Sequence, residues 1–267
     1  MEYRKLGRTG EKISTIGMGT WRIGVFADAE ERELQVKALR RGIDLGMNMI
    51  DTAELYAGGR SEEVVADAIA GIRDNVFLMT KVSRDHLRHD DVLAACDGSL
   101  RRLRTSYIDL YQVHWPNPAV PIEDTMGAME ELVDSGKIRY VGLSNFGVEL
   151  TEAARSSMSK SEIVSDQVEY SLLNKSAESE LLPYLKREKT TLIAYSPLGR
   201  GSIKSDLPES VLKKYAVSPA QAMLNWVTRD EQVVAIPKAA SLDHVEENAA
   251  SISTRFAFDE YESLAIG

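Results

Sequence analysis

A regular alternation of short apolar runs with longer amphipathic stretches constrains the fold of this 267-residue chain more than any other feature. Apolar residues recur at the spacing of helices packed on one side over residues 30–45, 91–103, 122–135 and 219–228. Around these stretches stand eight short runs rich in apolar or β-branched residues: 14–19, 47–51, 76–82, 107–114, 138–144, 163–170, 191–197 and 233–237. Strands that alternate with helices favour a parallel sheet. Eight such units in about 250 residues predict an α/β fold, a (β/α)8 TIM barrel, and a doubly wound open sheet is the alternative.

The domain organisation is simple because no stretch of the chain has the composition of a linker. We therefore expect a single barrel domain over residues 1–267. The segment GRTGEK, residues 7–12, has the composition of a turn between YRKL and IST. It predicts a short N-terminal β-hairpin that closes the bottom of the barrel.

The charge balance excludes some classes of partner. Acidic residues number 41 and basic residues 32, which gives a formal net charge of −9 and a pI of about 5.1. Nucleic acids and anionic membranes attract positively charged surfaces, so we expect neither as a partner. The single cysteine, Cys96, cannot form an internal disulfide and suits a reducing compartment. The charged N-terminus is unlike a signal peptide, and no apolar run approaches the roughly 18 residues of a membrane span. We expect a cytoplasmic protein, monomeric or a small homo-oligomer, that acts on a small molecule.

Polar side chains stand where three consecutive apolar runs end, and in a barrel the chemistry gathers at the C-terminal ends of the strands. Asp51 ends the second run, Lys81 lies in the third, and His114 ends the fourth. Tyr56 follows the second run, in the loop DTAELYAGG. The later runs carry further polar groups at or near their ends, namely Ser144, Asn145, Gln167, Tyr195, Ser196 and Lys238. Closure of a barrel would bring these side chains to one rim, so they are candidate site residues.

An aspartate, a lysine, a tyrosine and a histidine in one place suit proton transfer to a carbonyl oxygen. A tyrosine hydroxyl has a pKa of about 10 and is a weak acid unless its phenolate is stabilised. A nearby ammonium group stabilises the phenolate, an aspartate holds the lysine in place, and a histidine can orient the carbonyl. A carbonyl protonated on oxygen also needs a hydride on carbon, which a nicotinamide cofactor supplies. The four histidines lack a zinc-binding spacing, so we expect no metal; they are His86, His89, His114 and His244.

The usual dinucleotide fingerprint is incomplete in this chain. Gly17 and Gly19 fit the pattern G-x-G-x-x-G, but Arg22 stands at the third glycine and no helix follows directly. A nicotinamide cofactor would therefore bind in some way other than on a Rossmann turn.

Six segments resemble motifs of the aldo-keto reductases and occur in that family's order. They are IGMGTW (16–21), IDTAELYAGGRSE (50–62), SYIDLYQVHWP (106–116), GKIRYVGLSNF (136–146), YSPLGRG (195–201) and IPKAASLDHVEEN (236–248). The resemblance implies a barrel and an NAD(P)H-dependent reductase that transfers a hydride to small aldehydes or ketones, and oxidises alcohols in reverse. It places the family's catalytic tetrad on Asp51, Tyr56, Lys81 and His114. Tyr56 would be the general acid in reduction and the base in oxidation.

The resemblance also implies a cofactor site for NADPH, with NADH as the second choice. Ser144, Asn145 and Gln167 match the carboxamide-binding residues, and Tyr195 matches the aromatic platform under the nicotinamide. The other implied cofactor contacts are Gly19, Thr20, Trp21, Asp51, Ser196, Pro197, Leu198, Gly199, Arg200, Gly201, Ile236, Pro237, Lys238, His244, Glu247 and Asn248. The implied substrate pocket is walled by Trp21, Tyr56, His114 and Trp115.

Three departures from the family pattern affect these expectations. Lys238 matches the family's adenosine 2′-phosphate site, but Ala239 replaces the usual serine and His244 the usual arginine. The loss of a bidentate clamp predicts a weak preference for NADPH. The segment after Gly201 is short, which predicts quick cofactor exchange. The chain ends at Gly267 without the long C-terminal loop of many relatives, which predicts an open pocket.

Two other functions stay open at this point. The family also includes channel-associated subunits, so the main alternative is a cofactor-binding regulatory subunit with weak or no turnover. An unrelated phosphate-handling barrel enzyme, such as an isomerase, would need a glutamate base in a suitable loop and would not explain the segment VGLSNF.

Overall fold

The computed structural model describes residues 1–203 and 207–265. Within them the strands are β1 (Tyr3–Lys5), β2 (Lys12–Ser14), β3 (Met18–Gly19), β4 (Met49–Asp51), β5 (Phe77–Val82), β6 (Ile108–Val113), β7 (Ile138–Ser144), β8 (Ile163–Glu169), β9 (Thr191–Tyr195) and β10 (Val233–Ala235). The α-helices are α1 (Ala29–Asp44), α2 (Arg60–Ile69), α3 (His89–Leu103), α4 (Ile122–Asp134), α5 (Val148–Ser156), α6 (Leu181–Arg187), α7 (Glu209–Tyr215), α8 (Pro219–Val227), α9 (Leu242–Ala250) and α10 (Phe258–Ala265). The expectations about the segment after Gly201 and about the chain end involve residues 204–206 and 266–267, which lie outside the described residues.

Strands β3 to β10 form one parallel sheet in chain order, and the sheet closes on itself. Closure joins the first and last strands through parallel bridges from Ile16 to Ala235 and from Gly19 to Lys238. Gly19 is required at this seam, because a Cβ atom there would lie 2.6 Å from the backbone oxygen of Ile236. The predicted eight-stranded barrel is confirmed, and the alternative of an open sheet is wrong.

The barrel interior is filled by apolar side chains, and the N-terminal hairpin covers its lower end. Leu6 and Ile13 of the hairpin belong to the same buried cluster as Met49, Phe77, Met79, Leu110, Val164, Ile193, Val234 and Ile236. The backbone N–H of Gly7 donates to Thr191 Oγ1 over 2.9 Å, and that of Ser14 donates to Asn48 Oδ1 over 2.7 Å. Both acceptors lie where strands begin, so the hairpin covers the end of the barrel opposite the strand C-termini, as predicted.

The helices form the outer layer and bury one face each against the barrel. Helix α8 illustrates the local signals, since Ser218 and Gln221 form a capping box and Pro219 occupies the first turn. The predicted run 14–19 is divided, because its first residue ends hairpin strand β2 and only Met18–Gly19 form β3. Among the described residues, no helix is long and apolar enough to cross a membrane.

Candidate active site

The C-terminal ends of neighbouring strands bring the predicted catalytic residues together. Asp51 is the last residue of β4, Lys81 lies near the end of β5, and His114 directly follows β6. These three strands are adjacent in the barrel, and Tyr56 lies in the turn after β4. A cavity of about 660 Å³ opens at this rim. The rim therefore offers both space and ionisable groups.

Lys81 is the centre of the cluster and is fully buried. Its ammonium group donates to Asp51 Oδ2 over 2.7 Å, to the backbone oxygen of Thr52 over 2.9 Å, and to the hydroxyl of Tyr56 over 3.4 Å. Burial alone would lower the pKa of Lys81, but the Asp51 carboxylate and then Tyr56 more than offset it and raise the pKa. Lys81 is therefore a fixed cation whose three donors all have acceptors.

Asp51 is held on both sides of its carboxylate. While Oδ2 accepts from Lys81, Oδ1 accepts from Gln167 Nε2 over 2.8 Å and from Gln112 Nε2 over 3.4 Å. Gln112 was not among the predicted residues, although one signal marks it. Successive residues of a strand point to opposite faces, so Gln112 shares a face with Leu110 and His114. A polar side chain at that position of an otherwise apolar strand points toward the same side as the candidate site.

Tyr56 begins a short 3₁₀ turn that reverses the chain into helix α2. Ala57, Gly58 and Gly59 all have left-handed backbone angles, and a Cβ atom at Gly59 would meet the Arg102 side chain at 2.7 Å. The pKa of Tyr56 is raised, because burial disfavours the phenolate and Asp51 offsets part of the attraction of Lys81. The expectation that Lys81 stabilises the phenolate holds as one contribution, but burial outweighs it. Tyr56 is thus kept as a neutral phenol that can donate its proton.

His114 lies beside Tyr56 and is neutral. The two rings meet edge to face with centroids 5.6 Å apart. Burial, and then the charge of Lys81, lower the pKa of His114 to about 3. Its Nδ1 atom is buried and has no hydrogen-bond partner among the described residues. A neutral imidazole carries one N–H, so this ring can donate to a carbonyl oxygen without bringing a charge.

The predicted carboxamide-binding residues form a connected wall between β7 and β9. The Ser144 hydroxyl donates to the Gln167 backbone oxygen over 2.9 Å. The Asn145 amide donates to the His114 backbone oxygen over 3.0 Å and accepts from the Tyr195 hydroxyl over 2.9 Å. Asn145 has a left-handed φ of 64°, which directs its side chain into this network. The network links Tyr195 and Ser144 to the loop that carries His114.

The cavity continues from these groups toward the segments that follow β9 and β10. Its lining includes nearly all the predicted cofactor residues, namely Gly19, Thr20, Trp21, Asp51, Ser144, Asn145, Gln167, Tyr195, Ser196, Pro197, Leu198, Arg200, Gly201, Ile236, Pro237, Lys238, His244, Glu247 and Asn248. Gly199 is not in the lining, although its φ of 57° belongs to the left-handed turn that shapes this segment. Lys81 is also absent because it lies beneath the floor. The lining adds Arg22, Ile203 and Ala220, which were not predicted.

An elongated cleft of this kind fits a dinucleotide. It has half-buried Tyr195 as an aromatic wall, amide groups near the cluster of Asp51, Lys81 and Tyr56, and Lys238 with helix α9 farther along. At the mouth, Trp21 and Trp115 are 52% and 45% exposed and present apolar faces. Among the described residues, no group of three or more His, Cys, Asp or Glu side chains is arranged to hold a metal ion.

Comparisons with known proteins point to one family. The sequence profile of the aldo/keto reductase family matches residues 15–266. The chain is 36% identical to methylglyoxal reductase YeaE of Escherichia coli, over 99% of this chain and 94% of the relative. The crystal structure of the thermostable aldo-keto reductase Tm1743 with the inhibitor epalrestat has a TM-score of 0.94 and 41% identity, covering 99% of each chain. That of an aldo-keto reductase from Klebsiella pneumoniae in complex with NADPH has a TM-score of 0.90 and 38% identity, covering 99% of this chain and 94% of the other.

Proposed function

The chain belongs to the aldo/keto reductase family, and from this premise we propose that it reduces the carbonyl group of small aldehydes and ketones with NADPH. The observation that carries the proposal is the contact of one buried ammonium group with both the Asp51 carboxylate and the Tyr56 hydroxyl. The name of the Escherichia coli relative supports a small, reactive aldehyde as substrate. The NADPH complex of the Klebsiella relative supports the cofactor.

The residues of this chain account for the proton-transfer half of such a reaction. When bound, NADPH supplies a hydride to the carbonyl carbon. Tyr56 donates its proton to the carbonyl oxygen and becomes a phenolate beside the ammonium group of Lys81. Asp51 keeps Lys81 charged and in place, and the neutral imidazole of His114 donates a hydrogen bond to the same oxygen. In alcohol oxidation, the Tyr56 phenolate accepts the proton.

We assign the cofactor to the cleft on the chemistry of its lining. Ser144, Asn145 and Gln167 offer amide and hydroxyl groups for a carboxamide, and Tyr195 offers an aromatic face. The amide nitrogen of Gln167 donates to Asp51 and to Gln112 Oε1, which leaves the Gln167 side-chain oxygen to accept from a carboxamide, while Gln112 donates to the same Asp51 oxygen. Gln112 thus has a positioning role in this proposal, because it keeps Asp51 aligned with Lys81.

The cellular setting is part of the same proposal. We place the protein in the cytoplasm as one barrel domain acting on a small molecule. Its one cysteine is buried, and burial raises the pKa of the Cys96 thiol to about 12, which suits a reducing compartment where no disulfide is needed.

A panel of small aldehydes and ketones, methylglyoxal included, tests the function. We expect steady-state oxidation of NADPH with at least one member of the panel, and the affinity for NADP⁺ is measured in parallel by calorimetry. Tight NADP⁺ binding without turnover of any carbonyl would instead support a regulatory subunit. Loss of both binding and turnover would contradict the proposed cofactor as well.

A further inference from the structure

Glu62 is a fully buried carboxylate that the proposed chemistry does not use. It lies in the first turn of α2, just after the 3₁₀ turn that Tyr56 begins. Its Oε1 atom accepts from the Thr80 hydroxyl over 2.6 Å, and its Oε2 atom accepts from Arg102 Nε over 2.6 Å. Thr80 belongs to β5 and Arg102 to α3. Glu62 therefore fixes the start of α2 to two neighbouring elements.

The contact with β5 lies directly behind Lys81. Thr80 precedes Lys81 in the strand, and successive side chains of a strand point to opposite faces. Lys81 therefore points into the barrel, where it meets Asp51 and Tyr56, while Thr80 points outward to Glu62. A shift of α2 along β5 at this point would change the distance between the Tyr56 hydroxyl and Lys81 Nζ.

The contact with α3 fixes the turn itself. Arg102 lies against Gly59, where a Cβ atom would be 2.7 Å from the Arg102 Cδ atom and 2.8 Å from its Nε atom. Gly59 is buried, whereas Leu55 and Gly58 of the same turn are exposed. Because Nε is also the atom that donates to Glu62, the ion pair holds the arginine side chain over the glycine. The buried end of the turn is therefore held between α2 and α3.

The turn depends on such support because its backbone conformation is strained. Ala57, Gly58 and Gly59 have left-handed φ values of 51°, 64° and 90°, and for alanine this conformation is unfavourable. Backbone in an unfavourable conformation persists only where its surroundings hold it. The Tyr56 hydroxyl adds little support, since its one hydrogen bond among the described residues is the 3.4 Å contact from Lys81. The position of the hydroxyl is thus set by the turn, and that of the turn by the contacts at its buried end.

We propose that Glu62, with Arg102 as its partner, is a positioning residue that holds the Tyr56 hydroxyl beside Lys81 for proton donation. This inference rests on the proposed function, because it takes Tyr56 to be the proton donor. Glu62 is absent from the cavity lining, so it acts through the turn and not on a bound molecule. Its loss should slow the proton-transfer step and leave the affinity for the cofactor unchanged.

A mutant cycle with Tyr56→Phe tests the inference on the full chain. Glu62→Gln keeps the shape of the side chain but presents an oxygen to only one of the two donors. We expect it to lower the single-turnover rate of NADPH oxidation about tenfold or more, and to leave Kd for NADP⁺ within about twofold, since a small misplacement of a reacting group slows chemistry strongly. In the Tyr56→Phe background, the same substitution should have no further effect, because the group that it positions is gone.

The matched control is Asp109→Asn. Asp109 is another buried carboxylate, with Arg73 at 2.7 Å and Arg139 at 2.6 Å, but it lies near the N-terminal end of β6, away from the site. This variant should lose stability in urea unfolding and keep the parental single-turnover rate. Thr80→Val is a milder variant, which removes one hydrogen bond to Glu62 and should give a smaller fall in rate that also disappears in the Tyr56→Phe background. It decides the question if Glu62→Gln does not fold.

Four results would overturn the inference. Equal factors for Glu62→Gln in the parent and in Tyr56→Phe would mean that the effect does not pass through Tyr56. An unchanged rate in Glu62→Gln would mean that the turn holds its place without the carboxylate. An equal fall in Asp109→Asn would attribute the effect to general loss of stability. A parental rate in Tyr56→Phe itself would overturn the role of Tyr56 in the proposed function as well, so the two failures are distinguishable.

Discussion

Substitution of Lys81 alone should reduce both stability and turnover, whereas its combination with a substitution of Asp51 should restore only stability. In Lys81→Met, the Asp51 carboxylate stays buried, loses its 2.7 Å partner and keeps only the two glutamine amides on its other oxygen. Breaking a buried ion pair by removing one partner costs about 3–5 kcal/mol. Asp51→Asn leaves the Lys81 ammonium buried with neutral partners, and we expect a loss of similar size. Turnover should fall by about 100-fold or more in each variant, the usual contribution of a positioned acid.

The double variant Asp51→Asn, Lys81→Met carries no buried charge at this place. The asparagine oxygen can still accept from Gln167, so the free energy of unfolding should recover. The loss in the double variant should be smaller than the sum of the two single-variant losses by about 2 kcal/mol or more. Turnover should not recover, because the Tyr56 phenolate still lacks an ammonium group beside it. Urea unfolding measures the first quantity and steady-state NADPH oxidation the second.

The matched control is Lys37→Met, which removes an exposed lysine paired with Glu33 on the surface of α1 and should change the unfolding free energy by less than about 0.5 kcal/mol. Additive losses in the double variant, within about 0.5 kcal/mol, would refute the view that Asp51 and Lys81 stabilise each other. Recovery of turnover in the double variant would refute the role given to the lysine charge.

Three further predictions follow from groups around the site. Burial raises the pKa of Asp166 to about 8, so as the pH rises above its unfolded pKa of about 4 the unfolded chain ionises first and stability is lost. Asp166→Asn should therefore raise the unfolding free energy at pH 7 by a few kcal/mol. If the gain over the parent were no larger at pH 7 than at pH 3, this reasoning would be wrong. Gln112→Leu should lower kcat about three- to tenfold with Kd for NADP⁺ unchanged, as expected for the loss of one weak hydrogen bond. The control is Tyr111→Phe on the same strand, which should leave kcat intact because the Tyr111 hydroxyl has no hydrogen-bond partner among the described residues. Equal kcat values for these two variants would remove Gln112 from the positioning network. His114, with a pKa of about 3, is neutral above pH 5, so kcat/KM should show no step at the ordinary histidine pKa of about 6.5, and a step there that disappears in His114→Asn would contradict the structure.

The fold was predictable from the sequence because a barrel repeats one local pattern eight times. Most of the apolar runs are buried on both faces, so a run such as 108–113 can be recognised without knowing its neighbours. Asp51, Lys81 and His114 could be grouped for the same reason, since strand order alone brings consecutive strand ends together. The division of run 14–19 was less accessible, because its residues continue from the hairpin into the barrel without a change in composition.

The parts of the site that could not be predicted depend on closure of the barrel and on burial. Arg22 and Lys238 are 216 positions apart, and only the seam between β3 and β10 makes them neighbours. The raised pKa of Tyr56 follows from how deeply its hydroxyl is buried relative to two opposite charges, which no sequence spacing specifies. Gln112 carried a visible signal, a polar residue on the inner face of an apolar strand, but its partners become known only when Asp51 and Gln167 meet inside the barrel.

The central claim is that Tyr56 is the proton donor of a carbonyl reductase, and Tyr56→Phe tests it most directly. The variant loses only the hydroxyl, so the ring contact with His114 and the pair of Asp51 with Lys81 should persist. We predict that Kd for NADP⁺ stays within about twofold of the parent while kcat for the best aldehyde falls by about 100- to 10,000-fold, the range for loss of a general acid. Turnover at the parental rate with Tyr56→Phe would contradict the account.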